Sequence, residues 1–368
     1  MKKLFDETNI NGMQMKNRFF KSASWEALAT ENGHMTEELF EIYEDLAKGG
    51  VGTILTGYAY VTKDEQPNPK MMGIYEDSFI EEYRNLTDIV HKHNTNIVMQ
   101  IVYGGSMTTM EPISKKIFGP SAVQNDRTGI TPIEMTKEDI KELIKAYADA
   151  ASRVKQAGFD GVQLHAAHGY LLSQFLCPYY NRRKDEYGGN IENRARIIVE
   201  IVTEIKKVVG GDYPVLIKIN SEDFMDNGLT SEESILVTKM LEEVGLDGVE
   251  VSGGNESSTK VLNGNLGPAR TKVAISKSNE SYFAEHGKKL ANAVNIPVIL
   301  TGGNRHFDVM TDLLNNSEIS YFAIGRPLIC EPNLINAWAQ DESKKTRCVS
   351  CNGCYKTYGK KCILNGAK

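Results

Sequence analysis

At 368 residues, 41% hydrophobic and 24% charged, the chain has the makings of a large buried core and is no disordered polypeptide. A formal charge of -6 and a pI near 5.8 exclude the basic footprint of a nucleic-acid-binding protein, and no stretch is apolar enough to span a membrane. The N-terminus opens on two lysines, but acidic and polar residues interrupt MKKLFDETNINGMQMKNRFF before an apolar segment forms. No secretory leader is visible, and a cytoplasmic location is expected.

Along the chain, short β-rich runs alternate with segments of helical periodicity. The strand candidates are NRFFKSAS (17–24), VGTILTGYAYV (51–61), NIVMQIVYGG (96–105), DGVQLHAAHG (160–169), YPVLIKINSED (213–223), DGVEVSGG (247–254), IPVILTGG (296–303) and ISYFAIGRP (319–327). Between them, helices are predicted over 36–50, 78–94, 136–158, 192–211, 230–245, 281–295 and 306–316. Several open on Thr or Ser with an acidic first turn and close on Gly or Asn, as end caps require. Eight such units predict an α/β fold, a closed (β/α)8 TIM barrel of parallel strands over residues 1–342. A short Cys-rich tail over 343–368 follows it. No repeat, low-complexity tract or Pro-rich linker divides the chain.

In a barrel, successive side chains point alternately to the axis and to the helices. That count turns Val162, Leu164, Ile217 and Ile219 outward, and Gln100, Gln163, His165, Lys218, Asn220 and Glu250 inward. Burying so many polar groups costs several kcal/mol unless they meet partners or a ligand. They lie near the C-terminal strand ends, where barrel enzymes keep their active sites.

His165 and His168 are three residues apart, a spacing that points them to opposite sides of a strand. They converge only if the chain curls after His165, and Gly169 permits such a curl. The alternative is one core histidine and one exposed loop histidine. Tyr170 beside them and the inward polar set favour a functional pair. From His165 to Arg196, HAAHGYLLSQFLCPYYNRRKDEYGGNIENRAR resembles the signature segment of the old yellow enzymes and of the barrel of 2,4-dienoyl-CoA reductases. NRFFKSAS, AKGGVGTILTG, the Gln of VMQI, TGGN and IGRPL fall in that family's order, so the resemblance covers about residues 1–335.

The resemblance implies an FMN-dependent oxidoreductase, an ene-reductase that passes hydride from NAD(P)H through FMN to the C=C bond of an α,β-unsaturated carbonyl compound. His165 and His168 would bond the carbonyl oxygen and Tyr170 would supply a proton. Paired imidazole donors suit the enolate charge that hydride addition leaves on that oxygen, and a phenol suits protonation of the α-carbon. Gln100 and Lys218 would meet the pyrimidine edge of the flavin, Lys218 replacing the commoner Arg. Ser22, Ala23, Ser24, Trp25, Tyr58 and His165 also fall at the cofactor by resemblance. Many relatives place Pro and then Thr or Cys after the first strand, so Trp25 either borders the flavin or is a rim aromatic packed on a helix.

Gly302 and Gly303 follow strand seven and Gly325-Arg326 ends strand eight, where barrels commonly hold a cofactor phosphate. With the resemblance, they become the FMN phosphate site. Cys177 and Cys330 stand alone, whereas Cys348, Cys351, Cys354 and Cys362 read C-x2-C-x2-C-x7-C. Such a cluster is a candidate for a [4Fe-4S] centre or zinc, with free thiols as the alternative. Dienoyl-CoA reductases share a CxxCN start with wider later spacing, then continue into flavodoxin-like domains. Two other functions stay open in the sequence, a Schiff-base barrel aldolase using Lys218 and a flavin or iron-sulfur electron carrier. Expected partners are a small unsaturated carbonyl compound and no nucleic acid or membrane, with a homo-oligomer left open.

Overall fold

A computed structural model of the chain describes residues 1–110, 116–255, 257–258 and 266–366. Eight parallel strands close on themselves: Phe19–Lys21, Thr53–Leu55, Asn96–Val102, Gly161–Ala166, Val215–Asn220, Gly248–Ser252, Val298–Leu300 and Tyr321–Ile324. The last pairs with the first through Phe322 opposite Phe19 and Ile324 opposite Lys21, which completes the (β/α)8 barrel. All eight fall inside the runs expected from sequence. The second run is broken, with pairing resumed at Ala59–Tyr60, because the backbone N–H of Gly57 leaves the sheet to donate to the Tyr43 hydroxyl at 2.9 Å.

Capping places the outer helices. Thr136 opens Lys137–Gln156 and Thr230 opens Ser231–Glu243, each in a reciprocal capping box with Asp139 or Glu233. Asn190 caps Ile191–Val209 through the N–H of Asn193. Short helices at Leu171–Leu176, Arg326–Cys330 and Leu334–Gln340 lie outside the helices expected from periodicity. At five to seven residues they are too short to show one.

Two apolar layers follow from the alternation. Val162, Leu164, Ile217 and Ile219 join the core between sheet and helices. Inside the barrel, Phe20, Leu55, Val98, Leu216, Ile299 and Tyr321 fill the lower half. A hairpin of Thr8–Ile10 and Met13–Met15 supplies Ile10, Met13 and Met15 to the same inner cluster. The barrel is thus plugged by apolar side chains at one end, which leaves the polar inward set at the other. No described helix is long and apolar enough to cross a membrane.

Candidate active site

The inward polar residues satisfy one another across the strands. Register sets Lys218 between His165 and Glu250, and Gln100 beside Gln163. Gln100 Nε2 donates to Gln163 Oε1 at 2.7 Å, and Gln163 Nε2 donates to Glu250 Oε2 at 3.1 Å. The other carboxylate oxygen of Glu250 accepts from Lys218 Nζ at 2.9 Å and from Ser22 Oγ at 2.8 Å. Lys218 also donates to Ser22 Oγ at 3.0 Å. The burial cost is offset by a paired charge and an unbroken hydrogen-bond chain.

Above this floor the two histidines do converge. The strand ends at Ala166, and His168 and Gly169 both take left-handed backbone, φ 61° and 82°. A left-handed histidine is costly, and several bonds hold it. Asn220 Oδ1 accepts from the His168 N–H at 3.2 Å, Asn220 Nδ2 donates to Asp223 Oδ1 at 2.8 Å, and Ser173 Oγ accepts from the Gly169 N–H at 3.2 Å. The imidazole centroids of His165 and His168 stand 5.1 Å apart with planes at 85°. Burial, then the charge of Lys218, holds His165 well below the usual histidine range. Burial, then His165 and Lys218, does the same to His168. Both rings are therefore neutral near neutral pH, able to donate a hydrogen bond without bringing a charge.

Tyr170 packs beside them, its ring centroid 4.8 Å from that of His165 and 5.4 Å from that of Tyr58. Its hydroxyl donates to the Tyr58 hydroxyl at 3.1 Å, and Asn68 Nδ2 donates to both phenols, at 3.4 and 3.2 Å. Asn68 comes from the loop after the second strand, and nothing in the local sequence singles it out.

One cavity runs from the histidines to the ends of strands seven and eight. Its wall takes in Ser22, Ala23, Ser24, Trp25, Tyr58, Gln100, His165, His168, Lys218, Gly302, Gly303, Gly325 and Arg326. Trp25 is thus at the cavity, its Nε1 donating to the Pro69 carbonyl at 3.2 Å while the Lys360 ammonium lies 4.5 Å from its ring centre. Asn304 explains the end of the TGGN motif. Its Nδ2 donates to the carbonyls of Leu300 and Ala323, at 2.7 and 3.0 Å, and so ties strand seven to strand eight. Gly302 and Gly303 take φ 97° and 85°, and a Cβ on either would strike the rings of Phe283 or Tyr282 within 2.8 Å. At Gly325, by contrast, a Cβ would enter open space. Backbone is exposed to the cavity there for a close ligand.

The tail forms part of the wall through Ser350, Cys354, Tyr355 and Lys360. Asn352 Oδ1 accepts from Arg326 Nη1, and Cys348 contributes its carbonyl to Arg305 Nη1 at 2.6 Å. Sequence reasoning missed this role, because it read the tail for its thiols. The expected metal centre on Cys348, Cys351, Cys354 and Cys362 is not met. Among the described residues no three His, Cys, Asp or Glu side chains converge so as to hold a metal ion. Cys351 is exposed, Cys348 and Cys354 are buried, and Cys362 interacts with Cys330. Burial and that neighbour push the Cys330 thiol up to about 12.

A barrel with a cavity at its C-terminal strand ends, with Lys218 and Arg326 in its wall, defines a ligand site of the kind barrel enzymes carry. A profile of the NADH:flavin oxidoreductase / NADH oxidase family matches residues 3–345. The chain belongs to this family, that of the old yellow enzymes. It is 35% identical over 360 residues to an NADH oxidase of Thermoanaerobacter brockii, covering 95% of this chain and 53% of that protein. It is 31% identical over 378 residues to a cinnamate reductase of Clostridium sporogenes, covering 96% and 55%. The chain thus spans about half the length of these two relatives. Among solved structures, a 2-naphthoyl-CoA reductase bound to 2-naphthoyl-CoA superimposes with a TM-score of 0.88 at 26% identity, covering 98% of this chain and 56% of the other.

Proposed function

We propose that the chain is an FMN-dependent ene-reductase that reduces the activated C=C bond of an α,β-unsaturated carbonyl compound at the expense of NAD(P)H. The observation that carries this reading is the single cavity that brings His165 and His168 together with Gln100, Lys218, the Gly302-Gly303 turn and Arg326. The residues present fit FMN. Gln100 and Lys218 offer donors for a flavin pyrimidine edge, and Gly302, Gly303, Gly325 and Arg326 offer a backbone cradle and a cation for its phosphate. When bound, FMN supplies the hydride carrier between nicotinamide and alkene.

The protein's own groups do the rest. His165 and His168 hold the substrate carbonyl and stabilise the negative charge that grows on its oxygen. Tyr170 gives a proton to the α-carbon, and its bonds with Tyr58 and Asn68 hold the phenol in place. An aldolase reading of Lys218 has less support. Its ammonium is ion-paired with Glu250 on the cavity floor, whereas a Schiff-base lysine needs its nitrogen lone pair free for attack.

The cofactor assignment is tested through Arg326. Wild-type protein is expected to purify yellow and to keep its flavin through dialysis. Arg326→Ala should lose flavin on dialysis while the fraction still loaded bleaches with NAD(P)H near the wild-type rate, because a phosphate anchor acts on binding. A variant that retains full flavin places the phosphate elsewhere, and wild-type protein that cannot be loaded with FMN overturns the reading.

A further inference from the structure

We propose that Ser252 is a positioning residue that fixes the ring tautomer of His168, so that the nitrogen this imidazole offers to a substrate carbonyl is a protonated Nδ1. The inference rests on the reading of His165 and His168 as the carbonyl donors, and it names which atom of each ring does the donating.

Ser252 closes the sixth strand and is 1% exposed. Its Oγ lies 2.7 Å from His168 Nε2, and the hydroxyl makes no other hydrogen bond among the described residues. One proton must lie between these two atoms. Were it the ring's, donated from Nε2, the serine hydrogen would have no acceptor among the described residues. If the hydroxyl donates into Nε2 instead, both groups are satisfied by one bond. The neutral ring then carries its proton on Nδ1, a nitrogen with no hydrogen-bond partner among the described residues.

His165 has the opposite arrangement. The backbone N–H of Ala167 donates to His165 Nδ1 at 3.3 Å, so that nitrogen is an acceptor and the proton sits on Nε2. Nε2 likewise has no partner among the described residues. The two rings reach the cavity differently, His165 from a regular strand and His168 from a left-handed turn. Opposite tautomers give each ring one engaged nitrogen and one free N–H. Ser252 on one side and the Ala167 amide on the other thus set up two neutral donors before any ligand arrives, which is the preorganisation an oxyanion site requires.

The tautomers can be read directly from the holoenzyme labelled with 15N-histidine, since the chain has only seven histidines. Signals of His168 and His165 are assigned by their loss in His168→Asn and His165→Asn. Wild-type protein is expected to show His168 protonated at Nδ1 and His165 at Nε2. Ser252→Ala should shift His168 toward the Nε2-protonated form and weaken binding of a para-substituted phenol about tenfold, the worth of one misdirected hydrogen bond. Ser252→Thr keeps the hydroxyl and should restore both. A wild-type spectrum with His168 protonated at Nε2 overturns the proposal without recourse to any variant, as does an unchanged tautomer in folded Ser252→Ala. Because the spectrum is read without substrate or turnover, the tautomer assignment can fail while enone reduction stands. Absence of enone reduction would remove the function while leaving the tautomers as measured.

Discussion

Tyr170→Phe is expected to slow alkene reduction by roughly 10² to 10⁴, the usual worth of positioned proton transfer, while leaving NAD(P)H-dependent bleaching near the wild-type rate. That loss corresponds to about 3 to 5 kcal/mol of barrier. The phenol is held by two contacts that have no purpose in a merely packed ring, the bond from its hydroxyl to Tyr58 and the bond from Asn68. Phe keeps the ring packed beside His165 and removes only the oxygen, so packing is retained and the proton is not. Alkenes whose α-carbon can take a proton from water should be spared. Stopped-flow measurement of the two half-reactions separates the cases. A wild-type rate of alkene reduction in Tyr170→Phe across several substrates removes Tyr170 from the mechanism, and the same loss in Tyr58→Phe alone would move the proton donor to its neighbour.

His165→Ala and His168→Ala should each lower enone turnover by about 10² to 10³ with FMN still bound, as loss of one donor from an oxyanion site does. The size of the effect follows from burial. Two neutral donors already in place need no reorganisation as charge grows on the substrate oxygen, and water admitted in their place does. Unchanged oxidative half-reactions in both would show that the carbonyl is held elsewhere.

Much of this site could be read from sequence because it is written in strand alternation. A period of two turned Gln100, Gln163, His165, Lys218 and Glu250 to one side, and a closed barrel has only one interior in which they can meet. That inward set is what separates an enzyme from a packed core. Local spacing could not give their pairings. Lys218 meets Glu250 over 32 residues and Ser22 over 196, separations that only the barrel's register brings together.

The convergence of the two histidines was half legible. Gly169 marked a curl, but the left-handed turn starts at His168 itself and is held by Asn220 from the next strand. Asn68 escaped altogether. It lies in a loop without periodicity and meets Tyr170 across 102 residues. The tail misled for a physical reason. Its cysteine spacing is that of a metal ligand set, but spacing does not fix direction, and among the described residues no three such side chains converge to hold a metal, while Asn352 and the Cys348 carbonyl turn inward to Arg326 and Arg305.

Anaerobic mixing decides the central claim. Protein bleached with one equivalent of NADH or NADPH, freed of oxygen and mixed with 2-cyclohexenone, should regain its yellow colour and form an equivalent of cyclohexanone. Colour that returns only when oxygen is admitted, across a panel of enones, enoates and enoyl thioesters, would contradict an ene-reductase and leave an oxidase in its place.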